Sequence, residues 1–154
     1  ETHLEINNTR QQYMEKTTRN FFSHCQIIGS TSTEPSLNGR QFGGTLTMAT
    51  GNTTYRIQSK STDPSGMGRW SSIHYRCRNG ITLTITTAYR VPQQYYNPTN
   101  TGYTTAVAQQ WRQIRMEQPN DKNINPRQQI LDDLKQQIKP LANKKSHSHS
   151  LHRC

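Results

Sequence analysis

The sequence predicts an α/β (α+β) chain, with about one mostly antiparallel or mixed sheet and packed helices. Three patterns carry that reading. Apolar and polar residues alternate over 42–49, 70–77 and 81–89, the two-residue period of half-buried strands. Apolar residues recur at helical spacing over 103–114 and 130–138. The order is helix, strand, three or four antiparallel strands, then two helices, which sets at least one helix layer against the sheet.

Taken in order, 9–25 reads as a helix with Met14, Thr18, Phe21, Phe22 and Cys25 on one face, and Thr9 with Gln12 has capping-box spacing. Residues 26–30, with Ile27 and Ile28, form a short buried strand. In 42–49, Leu46 and Met48 alternate with Thr45 and Thr47, and Gly43-Gly44 at its start suits a bulge or a close backbone approach. Tyr55, Ile57 and Ser59 continue the alternation beyond the Gly51-Asn52 turn, so 44–60 is expected to form a hairpin. A second hairpin is expected about Asn79-Gly80. It places Ile73, Tyr75 and Cys77 on one face of its first strand, and Ile81, Leu83, Ile85, Thr87 and Tyr89 on one face of its second.

The helical stripes follow: Tyr103, Val107, Trp111 and Ile114, then Ile130, Leu131, Leu134 and Ile138. Asn125-Pro126 offers an N-cap followed by proline at the first helical position, and Pro140 is expected to end the last helix. One domain over 1–140 is therefore expected, with a disordered basic tail over 141–154.

Hydrophobic residues make up 29 % of the chain, where globular domains use roughly 45–50 %, so the core should be thin. The deficit is filled by Thr, Gln, Asn and Ser more than by charge. Net charge is +10, from 19 Lys and Arg against 9 Asp and Glu. Between Arg40 and Arg90 stand Arg40, Arg56, Lys60, Arg69, Arg76, Arg78 and Arg90 with a single acid, Asp63. Such a region attracts polyanions, more weakly as salt rises; a solvated basic surface with no ligand is the plainer alternative.

Three cysteines, Cys25, Cys77 and Cys154, without CxxC spacing suggest neither a disulfide framework nor a zinc ribbon. No disulfide-linked partner is expected, and an intracellular compartment, nuclear or cytoplasmic, is the default. No apolar run approaches the roughly 20 residues of a membrane span, so no membrane partner is expected. The chain opens on Glu1, as a processed, excised or incompletely assembled product would. His147, His149, His152 and Cys154 are metal-capable types, but their low-complexity setting supplies no scaffold.

Several segments, in order, carry a likeness: Glu1-Thr2-His3, Phe42-Gly43-Gly44-Thr45, Gly68-Arg69-Trp70, Thr87-Ala88-Tyr89-Arg90, and Pro126-Arg127-Gln128-Gln129 through Ile138. Across about 1–140 the chain resembles the N-terminal half of the endonuclease/exonuclease/phosphatase superfamily, the DNase I-like fold. It is most similar to members associated with mobile elements and reverse transcriptases. The resemblance implies part of a four-layer α-β-β-α sandwich and Mg²⁺-dependent attack of water on a phosphoester.

Under that resemblance Glu1 matches a metal-binding glutamate, although the strand that would hold it is not in this sequence; otherwise it is a solvated terminal acid. Tyr89 matches a catalytic position near the scissile phosphate, with Arg69 and Arg90 as charged forks. Periodicity alone would instead have Tyr89 close the apolar face begun by Ile81. Trp70 and Tyr75 beside Arg69, Arg76 and Arg78 would form a stacking and phosphate-contacting surface, or the aromatics would be core.

The family's later Asp-Asn and Asp-His motifs have no match, and no Asp or Glu follows Asp133. The resulting expectation is a fragment of a Mg²⁺-dependent phosphodiesterase, hydrolytically inactive as it stands. Its alternatives are the front half of an active nuclease in a longer product, or a non-catalytic basic module that binds DNA or RNA. An uncovered apolar sheet face is expected of half a sandwich.

Overall fold

A computed structural model describes residues 6–33, 43–92, 105–120 and 123–147. The chain runs α1 (Asn8–Thr18), β1 (Cys25–Ser30), β2 (Thr45–Thr50), a 3-10 helix (Gly51–Arg56), β3 (Ile57–Thr62), β4 (Trp70–Arg76), β5 (Thr82–Ala88), α2 (Ala106–Glu117) and α3 (Pro126–His147). This is a mixed α+β fold. The strands are antiparallel, as the sequence suggests, and they form two sheets rather than about one: β1-β2, and β3-β4-β5.

The β4-β5 hairpin forms where Asn79-Gly80 predicts it. Both turn residues take positive φ, +57° at Asn79 and +72° at Gly80, and the ladder pairs Ile73 with Ile85 and Tyr75 with Leu83. The hairpin expected over 44–60 does not form. After Thr50 the chain turns through the 3-10 helix, so β2 pairs back onto β1 while β3 passes to β4. Hydroxyls explain the turn: Thr53 Oγ1 donates to the Thr50 carbonyl at 2.7 Å and Thr54 Oγ1 to the Gly51 carbonyl at 2.8 Å. These local bonds favour a tight helical turn over continued strand.

The two sheets pack face to face about Ala49, Ile73 and Tyr75, with Ile28 and Ile57 against them. Between the sheets the core is partly hydroxylic. Thr47 Oγ1 lies 3.0 Å from the Ser71 carbonyl, 2.9 Å from Ser71 Oγ and 2.9 Å from Thr87 Oγ1. One hydroxyl can donate once and accept the rest, so Thr47, Ser71 and Thr87 satisfy one another between the sheets, while the buried Thr45 hydroxyl in the same strand has no partner among the described residues. This is how so few apolar residues close a sandwich. Coverage stops short at β5, where Ile81, Leu83 and Ile85 are about half exposed.

Along the edge of β1 that faces away from β2, α1 docks by polar grips: Gln11 Nε2 donates to the Ile27 carbonyl at 2.8 Å, and the Ile27 amide donates to Glu15 Oε1 at 2.7 Å. The helix is shorter than the expected 9–25. Its N-cap is Asn7, whose side chain accepts from the Arg10 amide at 2.9 Å, rather than the Thr9-Gln12 box. It stops at Thr18, beyond two β-branched residues, with Thr17 Oγ1 bonded back to the Tyr13 carbonyl. Phe21 and Phe22 therefore fall outside the helix and are exposed.

Gly43 and Gly44 take φ of +80° and +97°, and the Gly44 amide donates to the Gly68 carbonyl at 3.2 Å, the close approach their sequence position predicts. Beside it, a Cβ on Gly68 would stand 2.6 Å from the Thr31 carbonyl carbon. In α2, Val107 and Ile114 are buried, and Thr105 caps the helix by accepting from the Ala108 amide. Tyr103 lies outside the described residues. The last helix does not end at Pro140 but continues to His147. Proline costs about 3 kcal/mol in a helix interior, yet 141–145 has the composition LANKK, mostly strong helix formers. Of the expected disordered tail, 141–147 are thus helical, and 148–154 lie outside the described residues.

Candidate functional site

The β3-β4-β5 sheet has two chemically different ends. At the first, where β4 begins, Arg69 is 1 % exposed. Its Nε meets Asp63 Oδ2 at 2.8 Å, and its Nη2 meets Asp133 Oδ2 of α3 at 2.8 Å and Ser65 Oγ at 3.0 Å. The guanidinium also lies 4.9 Å from the Trp70 ring centroid. Asp63 further accepts from the Arg69 and Ser65 amides, each at 3.0 Å. The arrangement is an internal tie between the β3-β4 connection and α3.

Arg69 is therefore not the surface phosphate fork that sequence suggests. Two carboxylates occupy its Nε and Nη2, and burial keeps the guanidinium from an approaching polyanion, although its Nη1 has no partner among the described residues. Trp70 and Tyr75 are buried too, at 2 % and 8 % exposure, and belong to the core rather than to a stacking surface.

The same tie shifts titration. Burial alone would raise the Asp63 carboxyl, but hydrogen bonds from Arg69 and Ser65 and the Arg69 charge outweigh it and hold the pKa below the ordinary carboxylate value. A depressed folded-state pKa contributes stability above the unfolded-state value, about 3.9, and loses it as pH falls through the folded value. Thermal midpoints should thus show no loss from Asp63 above about pH 5 and fall progressively below about pH 4. Melts across that range check this, and Asp63→Asn should flatten the acid limb.

Tyr89 and Arg90 sit at this first end as well. The Tyr89 amide donates to the Arg69 carbonyl at 2.7 Å, and its partly buried ring packs on Val91, Ala106 and Val107. Arg90 is exposed, and its Nε donates to the Arg127 carbonyl at 3.3 Å. Glu1 lies outside the described residues. Mg²⁺ takes oxygen ligands, mostly carboxylate, phosphate and water. Here Asp63 and Asp133 are committed to Arg69, and the described residues contain no cluster of three His, Cys, Asp or Glu able to hold a metal. They offer no donor set that fits the ion.

The other end, about 20 Å away along the six residue steps of β4, is basic and open. There Tyr55, Arg56, Ile57, Gln58, Arg76, Cys77 and Arg78 line a cleft of about 510 Å³. Arg76 and Arg78, expected from sequence to meet phosphate, are joined by Arg56. Ladder register explains the meeting: Ile57 pairs with Tyr75, so the chains carry Arg56 and Arg76 out of the sheet side by side. The β3-β4 register then shifts between Ile57 and Ser59, a bulge at Gln58 that bends the strand beside the cleft.

All three arginines are exposed, and none of the described residues that line the cleft is acidic. With no acidic partner among the described residues, the three guanidiniums repel one another, and an anion with several oxygens relieves that repulsion through charge-assisted, bidentate hydrogen bonds. The predicted site residues are thus divided: Tyr89, Arg90 and Arg69 at one end, Arg76 and Arg78 at the other. Sequence reasoning passed over Tyr55 and the role of Arg56. The available signal was Tyr55-Arg56 directly before a strand whose partner ends in Tyr75-Arg76.

Cys25 and Cys77 carry free thiols, and burial pushes that of Cys25 up. Among the described residues no helix is long and apolar enough to cross a membrane. The molecule is a mixed α+β protein with a basic cleft at one end of its three-stranded sheet. Comparison with protein-family models, curated proteins and solved structures finds no match.

Proposed function

We propose that this chain binds the phosphate backbone of nucleic acid through the cleft of Arg56, Arg76 and Arg78. The observation that carries the reading is the meeting of three exposed arginines, from two separate strands' ends, in one concavity with no acidic residue among the described residues that line it. Lone surface arginines are ordinary; three brought together by ladder register with no counter-charge make a local positive field suited to a polyanion. The excess of basic over acidic residues across the chain adds long-range attraction of the same sign.

Fluorescence anisotropy with labelled single- and double-stranded DNA tests the proposal. With about three phosphates neutralised, raising salt from about 50 to 200 mM should weaken binding roughly 20- to 40-fold. Absent or salt-insensitive binding would overturn it.

A second reading, part of a Mg²⁺-dependent phosphodiesterase, draws support from the layer order. The β1-β2 and β3-β4-β5 sheets face each other, as the two inner layers of such a sandwich would, with α1 along the edge of β1 and α3 tied to Arg69 at one end of the second sheet. The described carboxylates favour binding over hydrolysis. Plasmid cleavage with Mg²⁺ that is lost on Glu1→Ala or Tyr89→Phe would reverse that preference and place this chain, or a longer product containing it, among nucleases.

A further inference from the structure

We infer that the cleft selects single-stranded nucleic acid, with a base stacked on Tyr55; the inference rests on the reading of the arginine cleft as a backbone site. Tyr55 is 70 % exposed and borders the same concavity as Arg56, Arg76 and Arg78. With Trp70 and Tyr75 sealed in the core, Tyr55 is the aromatic that the cleft presents to solvent among the described residues.

Its presentation is held rather than loose. The Tyr55 hydroxyl is hydrogen-bonded to His24 Nε2, and the two rings meet edge to face with centroids 4.8 Å apart and planes at 64°. The short helix carrying Tyr55 is fixed at its start, where the Gly51 amide donates to the His24 carbonyl at 2.9 Å. Buried Thr54, the neighbour of Tyr55, closes the same turn through Gly51. A ring held this way loses little freedom when a base settles on it.

The chemistry discriminates between ligand forms. An exposed ring beside backbone-binding arginines is the arrangement that holds single strands, because an unpaired base offers its face. A duplex hides those faces within its own stack, leaving only phosphates for the arginines. A polyanion without bases gives Tyr55 nothing to stack on. His24 acts as a positioning residue, orienting the phenol without meeting the ligand.

The test compares three probes at one salt concentration: a labelled single-stranded oligonucleotide of about twelve residues, a duplex of the same length, and inorganic polyphosphate as competitor. Tyr55→Ala should weaken single-strand binding roughly 5- to 160-fold, the range of one lost base stack, and leave duplex and polyphosphate affinities within about twofold. Tyr55→Phe, which keeps the ring and loses the bond to His24, should retain most single-strand affinity.

Equal losses on all three probes, or no loss on any, would overturn the inference while leaving the arginine site standing. Wild-type protein that binds none of the probes would overturn the arginine site and the inference with it. Because Tyr55 is mostly exposed, Tyr55→Ala should melt within a few degrees of wild type. If it does not, Tyr55→Phe against Tyr55→Leu makes the same comparison, with Leu expected to lose the single-strand preference.

Discussion

Arg69→Met should lower the unfolding midpoint by on the order of 10 °C, the largest effect expected of any single substitution considered. Removing the guanidinium strands Asp63, whose side chain is 0 % exposed, and leaves Asp133 without its partner at 24 % exposure. Breaking a buried charge pair by deleting one member costs about 3–5 kcal/mol, chiefly because the remaining charge is left uncompensated. For a chain of this size each kcal/mol moves the midpoint by roughly 2–4 °C. The mechanism makes a further claim about combination: adding Asp63→Asn and Asp133→Asn to Arg69→Met should recover part of the loss. Circular-dichroism melts of the single and triple variants check both statements. A single variant that melts like wild type would mean that the tie contributes nothing to holding α3.

The second large effect is on binding. Arg56→Ala/Arg76→Ala/Arg78→Ala should weaken nucleic-acid binding by at least about tenfold at low salt, because the variant gives up about three phosphate contacts and the counterions they release. Its stability should change little. All three side chains are exposed, and surface substitutions away from packed features stay within about 0.5 kcal/mol. Arg90→Ala against Arg76→Ala alone is the charge-matched comparison, since each removes one positive charge, at opposite ends of the sheet. Anisotropy titrations of both variants separate a local site from a diffuse basic surface.

What the sequence made legible was local. Asn79-Gly80 and the flanking alternation specify the β4-β5 hairpin, because its turn chemistry and its partner strand lie within a few residues of each other. Gly43-Gly44 likewise marks a close backbone approach. What the sequence hid was non-local pairing. Nothing in the period of 44–60 distinguishes a hairpin from two strands that separate into different sheets, since period reports which face is buried and not which neighbour is chosen.

The candidate site followed the same rule. Asp63 was visible as the only acid among the basic residues of the middle stretch, six positions before Arg69, but its partner Asp133 lies on the last helix. Without that contact Arg69 reads as a surface cation. Arg76 and Arg78 were legible as basic residues, while Arg56 and Tyr55 joined them only through the β3-β4 register. The run past Pro140 shows the reverse case, in which a strong local breaker is outweighed by the helix formers after it.

The central claim, that the open arginines of the cleft hold phosphate, is tested most directly by the salt dependence of binding. Plotting log Kd against log salt for wild type and the Arg56/Arg76/Arg78 triple-alanine variant on one single-stranded oligonucleotide should give a slope smaller by about 2 in the variant, the equivalent of three lost contacts. Parallel lines for the two proteins would contradict the assignment and place the backbone contacts elsewhere on the chain.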